Sequence, residues 1–160
     1  MNGKEDRVLK IKTIKDGIVI DHISHGRAPD VLQILGIDNQ FKDSVTIAMN
    51  VPSKILGKKD IVKVENRDID SNEINKIAII APNATINKIR NYRVVEKKKV
   101  TLPRSIVGIL RCPNPSCITN KEREPVRSVF IVKQKDPLVL ACKYCEREIS
   151  GEDITLSITT

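Results

Sequence analysis

The chain has 160 residues, 40% of them hydrophobic, and 28 lysines and arginines against 20 acidic residues leave a formal net charge of +8. That composition describes a globular chain of one medium domain or two small ones, not a disordered one. It excludes a spanning helix, since no apolar run approaches the roughly 20 residues that cross a bilayer, and the polar start MNGKEDRVLK has no apolar core of a signal peptide.

The basic balance and a pI near 9.4 suit an anionic partner: nucleic acid, a nucleotide or an acidic protein surface. A solvated basic surface is the commonest source of such charge. With two phenylalanines, two tyrosines and no tryptophan, the chain is poorly equipped to stack single-stranded bases. Abundant Ile, Lys and Glu are a weak hint of adaptation to heat.

In chain order, Val8 to Ile14 alternates apolar and basic residues, and the Asp16-Gly17 turn signal before Ile18-Val19-Ile20 predicts a strand interrupted or folded back there. A helix is expected from Ala28, with Pro29 in its first turn, Val31, Ile34 and Leu35 on one face, and Gly36 ending it. Val45, Ile47, Met49 and Val51 alternate as a strand that Pro52-Ser53 should stop. A basic loop, Lys54 to Lys59, leads to a strand from Ile61 to Glu65.

The second helix carries the clearest local signature: Asp70 as N-cap, Glu73 completing a capping box, and Ile69 with Ile74 as a hydrophobic staple. Ile74, Ile77, Ala78 and Ala81 form its apolar stripe, and Pro82 closes it. Ala84 to Ile89 and Tyr92 to Val95 read as strands joined at Arg90-Asn91. The order strand, helix, strand, strand, helix, strand is that of a ferredoxin-like βαββαβ domain of the α+β class, helices on one face of an antiparallel sheet.

Lys97 to Pro103 has the composition of a linker, which predicts domains at 1–100 and 101–160. Beyond it, Ile106 to Leu110 leads into a first cysteine turn. Val126 to Lys133 and Leu138 to Ala141 make a ribbon around Asp136-Pro137, and Ile154, Leu156 and Ile158 alternate as a closing strand, giving a small antiparallel β domain.

The four cysteines fall as two pairs, Cys112 and Cys117 in CPNPSC and Cys142 and Cys145 in CKYC. Two such short turns deliver four thiolates to one point, the tetrahedral shell that Zn(2+) takes. Two disulfides, which need an oxidising compartment, or four unrelated thiols are the alternatives, and the spacing favours the metal. A closed shell leaves no coordination position for substrate, so the zinc is structural. Reduced cysteines fit a cytoplasmic protein.

Phosphate-cradling glycine motifs are absent from the sequence, and no catalytic constellation is recognisable. Asp21-His22 as a catalytic pair would need geometry that sequence does not supply. A nucleic-acid-binding protein with a zinc ribbon and, more remotely, an enzyme are the competing readings.

Taken together, CPNPSCITN and CKYCE, preceded by GIVIDHI, NVPSK, GKKDIVKVEN, IAPNATINKIRNY and RVVEK, resemble the regulatory chain of aspartate carbamoyltransferase from about Val8 to Glu146. The resemblance implies a noncatalytic subunit of the pyrimidine biosynthesis pathway, with an N-terminal nucleotide-binding allosteric domain and a C-terminal zinc domain. It implies regulatory homodimers that link two catalytic trimers in a dodecamer, with CTP, ATP and UTP as effectors and neither nucleic acid nor membrane as partner.

Carried over residue by residue, it implies a ribose contact at Asp21, a triphosphate contact at His22, a lysine near ribose and base at Lys63 and a phosphate lysine at Lys97. Thr13, Ile14, Val19, Ile61, Asn87, Ile89, Tyr92 and Val94 would line the same pocket. Asn114 and Glu146 would face the catalytic chain, while Ser116 departs from the asparagine frequent at its position.

Overall fold

Alternation of apolar and polar residues builds the first sheet. The computed structural model describes residues 13–158, which divide between Thr101 and Leu102 into two compact units. In the first, β1 (Gly17–Ser24), α1 (Ala28–Ile34), β2 (Val45–Ser53), β3 (Gly57–Glu65), α2 (Ser71–Ile80), β4 (Thr85–Arg90) and β5 (Arg93–Lys99) follow in order. The sheet runs β2-β3-β1-β4-β5, every neighbouring pair antiparallel. This is the predicted α+β order with β5, the second strand of the expected hairpin, added at the edge beside β4.

One face of the sheet is the core. Ile18, Ile20 and Ile23 of β1, Val62 and Val64 of β3 and Ile86 of β4 are all at most 2% exposed, each such side chain contributing about 1.5–3 kcal/mol by leaving water. A bulge between Ile20 and Ile23 inserts the residue that returns Ile23 to this face. Ala28, Val31 and Leu35 of the α1 region and Ile77, Ala78 and Ala81 at α2 complete the core. The predicted capping box of α2 is present, with the Asp70 carboxylate accepting from the Glu73 N–H and Glu73 reaching back.

Asp60 is the one fully buried charged side chain among the described residues. Its oxygens accept from the Ala28 N–H at 3.0 Å and the Asn50 N–H at 2.9 Å. It thereby fastens the first turn of α1 and the bulge of β2 to the middle of β3. Asp60 points inward, so Lys59 and Ile61 must point outward.

Several elements differ from their expectation. Residues 8–12 of the first expected strand lie outside the described part, and Thr13 and Ile14 precede β1 without joining a strand. Gly17 does not fold the chain back. It pairs with both Glu65 and Ile89 at φ +144°, and a Cβ there would stand 2.1 Å from the Val64 carbonyl oxygen.

Pro52 does not stop β2, because β2 is an edge strand that tolerates a missing N–H. Lys58 and Lys59 belong to β3, not to a loop. The β4–β5 turn is Asn91-Tyr92, both at positive φ, the two-residue geometry that matches strand twist. It prolongs β5 through Lys97, Lys98 and Lys99, which are strand residues and not linker.

In the second unit, β6 (Ser105–Val107), β7 (Val129–Lys135), β8 (Leu138–Cys142) and β9 (Glu148–Ser150) form a four-stranded antiparallel sheet in that order. Phe130, Ile106, Leu110 and Leu140 are its most buried apolar side chains. The expected closing strand is instead a helix, α3 (Glu152–Ser157). Ile154 and Ser157 face inward while Leu156 is 80% exposed, a spacing of three residues that suits a helical turn and not a strand. Only Ile158 bridges, to Leu110.

Candidate metal centre and ligand face

The first cysteine pair sits on an irregular loop between β6 and β7, the second at the end of β8 and in the turn after it. All four sulfurs lie within 4.8 Å of one another, with Cys112 and Cys145 at 3.5 Å and Cys117 and Cys142 at 3.7 Å. A disulfide needs about 2.05 Å, and all four are free thiols. A tetrahedral cation with sulfur ligands at about 2.3 Å separates them by about 3.8 Å. The donor set fits a single closed tetrathiolate metal site.

Electrostatics agree with that fit. Burial pushes the Cys112 thiol up to about 12, and burial likewise raises Cys142. Partial burial also acts upward on Cys145, but the Arg147 N–H and the Asn114 side chain bring it down to about 7. A coordinating cation reverses the first two shifts, because it stabilises the thiolate that burial disfavours. Metal entry therefore displaces protons.

Each loop is finished by hydrogen bonds. Cys142 accepts at its carbonyl from the Glu146 N–H at 2.8 Å and donates its own N–H to Arg147 at 2.9 Å. In the first loop, Asn114 accepts from the Ser116 N–H through Oδ1 at 3.0 Å and from the Cys117 N–H through its carbonyl at 3.0 Å. Asn114 is half-buried, and Ser116 and Glu146 are exposed.

In the first unit, the face of the sheet opposite the core gathers the other predicted residues. The register sets Lys63 opposite Val19, Val19 opposite Asn87, and Asn87 opposite Lys97, so one row runs across four strands, about 14 Å. Two residues along, Asp21 pairs with Thr85 and Thr85 with Lys99. Two residues the other way, Gly17 pairs with Ile89 and Ile89 with Val94.

Ile61 shares the outward side of β3 with Lys63. Thr13 and Ile14 lie just before Lys15, whose carbonyl accepts from the Tyr92 N–H at 2.9 Å. His22, at φ +55°, occupies the β1 bulge. Register places Val19, Asp21, Ile61, Lys63, Asn87, Ile89, Val94 and Lys97 on that side, with His22 at the bulge and Tyr92 in the adjoining turn. Thr13 and Ile14 precede β1 and are placed by no strand pairing, and Ile14 and Ile89 are only 6% and 7% exposed.

Asp21 organises the charged end. It pairs with Lys59 at 2.9 Å and accepts from the His22 N–H at 2.6 Å, while His22 Nδ1 lies 3.4 Å from the Thr85 hydroxyl. Burial pushes the Asp21 carboxyl up, but the Lys59 ammonium and the His22 N–H offset this and hold it below the usual carboxylate range. Burial lowers Lys63, with the Asp21 charge acting against it. Lys59 and Thr85 were missed by sequence reasoning. Lys59 sits in a lysine-rich run in which only strand register marks one lysine from the next.

Fold and cysteine cluster together define a two-unit α+β protein whose C-terminal unit is a metal-binding domain. Two family models match the chain: the allosteric domain of the aspartate carbamoyltransferase regulatory chain over residues 9–101 and the metal binding domain of that chain over residues 104–155. An aspartate carbamoyltransferase regulatory chain of Thermococcus gammatolerans is 53% identical over 146 residues, covering 91% of this chain and 95% of that one. That of Korarchaeum cryptofilum is 52% identical, covering 91% and 93%, and that of Methanothermobacter thermautotrophicus 50% identical, covering 96% and 97%.

The chain belongs to the family of aspartate carbamoyltransferase regulatory chains. Its relatives are named as regulatory and not catalytic chains, and it is a noncatalytic subunit. No helix among the described residues is long and apolar enough to cross a membrane.

Proposed function

We propose that this chain carries allosteric control to aspartate carbamoyltransferase in the cytoplasm, binding CTP and ATP, with UTP as a further effector, on the open face of its first unit. Its second unit holds one zinc ion and docks on the catalytic chain. Regulatory dimers then join two catalytic trimers into a dodecamer that adjusts the flow of pyrimidine biosynthesis.

The observation that carries the nucleotide reading is the row Lys63, Val19, Asn87, Lys97 with Asp21 beside it. A triphosphate brings about four negative charges, and lysines act on phosphate oxygens as point charges. Lys59, Lys63 and Lys97 are three such lysines on one side of the sheet. Asp21 accepts hydrogen bonds from ribose hydroxyls, a use for a carboxylate next to an anion that otherwise repels it. Val94 and Tyr92, both exposed, offer apolar surface to the base, and the nearby main chain can read its edge.

An effector changes activity only through different affinities for two global states, a coupling of roughly 1–3 kcal/mol in typical allosteric proteins. The test is calorimetric titration of CTP and ATP into the zinc-loaded chain, beside Lys97→Ala. Loss of one charge-assisted contact should weaken the triphosphate by roughly tenfold to a hundredfold. Absence of nucleotide binding by the parent chain, or equal affinity in the variant, contradicts the assignment.

A further inference from the structure

Asn120 closes a short 3-10 turn, Ile118–Asn120, after the first cysteine pair. Its carboxamide nitrogen donates to two main-chain carbonyls, that of Cys112 at 2.8 Å and that of Asn114 at 2.7 Å. An amide carries two such hydrogens, so both are used. Its own N–H donates to the Cys117 carbonyl at 2.9 Å. The side chain thus ties Cys112 to Asn114, and the main-chain N–H of the same residue adds Cys117.

Within the second loop the closing bonds are main-chain ones, from Glu146 to Cys142 and from Cys142 to Arg147. The difference follows from spacing. CKYC is a turn that the backbone can complete, whereas CPNPSC has two more residues whose freedom must be removed by something else. With Arg111 and Cys112, Asn120 forms the wall shared by two clefts, one bordered by Lys121 and Glu122, the other by Pro115 and Leu156. It is half-buried between them.

We infer that Asn120 is a positioning residue for docking: it holds the first cysteine loop in the shape that retains the metal and presents Asn114 and Ser116 to the catalytic chain. It acts through the carbonyls of Cys112 and Asn114. The inference rests on the docking reading proposed above, and it assigns the loop's shape to a side chain outside the four ligands. Groups that orient metal ligands typically account for tenfold to a hundredfold in metal affinity.

The test uses the full zinc-loaded chain and the variants Asn120→Asp and Asn120→Gln. The aspartate turns an acceptor toward two carbonyls, while the glutamine keeps both donors but displaces them by one methylene. Release of zinc to a chromogenic chelator and affinity for catalytic trimers in excess zinc are the two readouts, with nucleotide affinity of the first unit as the check that the rest of the chain is intact. Both variants should release zinc about tenfold or more faster and bind trimers about tenfold or more weakly, with nucleotide affinity unchanged. Wild-type release and docking in either variant overturns the inference. A parent chain that binds no trimers defeats the docking reading itself and is separable from that result.

Discussion

Asp21 is held between two demands. As a half-buried carboxylate it loses hydration, yet it keeps Lys59 at 2.9 Å and the His22 N–H at 2.6 Å. Because its folded pKa lies below the ordinary 3.8, the pairing stabilises the folded chain above that value and is lost as pH falls through the folded pKa. Asp21→Asn should therefore lower the melting temperature at neutral pH and converge with the parent in acid. A deficit that stays unchanged as acidification carries the solution through the folded pKa, where the carboxyl gains its proton, would contradict that account.

Residues of this kind were only partly legible in the sequence. The four cysteines were readable because metal geometry restricts their spacing. Asp21, His22, Lys63 and Lys97 entered through family resemblance, since a lysine on a strand has no local mark of function. Lys59 escaped because its side of the sheet depends on the bulges that flank it in β1 and β2, and long-range register is not written in a six-residue window. Asn120 escaped because its partners are main-chain carbonyls, which sequence does not display.

At the scale of elements, local chemistry was readable where it decided the outcome. Asp70 and Glu73 supply both halves of a cap that needs nothing distant, so Asp70→Ala should cost about 1 kcal/mol. Gly17 is the opposite case. Its neighbour Asp16 signals a turn, but its requirement for glycine comes from Val64 on another strand. Gly17→Ala should cost about 3 kcal/mol, the upper range for an insertion that the backbone must move to admit. Chemical denaturation of both variants checks the pair; a Gly17→Ala cost no greater than that of Asp70→Ala would refute the close-approach argument. The α3 error has a similar origin: Ile154, Leu156 and Ile158 satisfy a period of two, yet Gly151 at φ +57° redirects the chain and Glu152 and Asp153 suit a helix's first turn.

At the scale of the molecule, the two units draw on different sources of stability. The first has a continuous core of sheet and helix residues, whereas the second is small enough that metal binding, on the order of 10 kcal/mol in small zinc domains, dominates its folding. Chelation should unfold residues beyond Leu102 and leave the first sheet intact; hydrogen exchange that stays slow at Phe130 and Leu140 after the metal is stripped would contradict this. The proton balance follows from the same site. Cys112, at about 12, and Cys142, also raised, hold protons at neutral pH, so metal entry must release them and affinity must fall as the solution is acidified. Proton release measured in two buffers of different ionisation enthalpy checks it, and pH-independent zinc affinity between about pH 6 and 8 would contradict it.

The proposed function depends above all on a zinc-shaped second unit that joins this chain to catalytic trimers. Sedimentation velocity of the zinc-loaded chain mixed with the aspartate carbamoyltransferase catalytic trimer of its own organism tests it most directly. The expected result is a species with the mass of two trimers and three regulatory dimers, which separates into its parts when zinc is chelated. Components that sediment apart at micromolar concentration with zinc bound, or a complex that survives complete chelation, would contradict it.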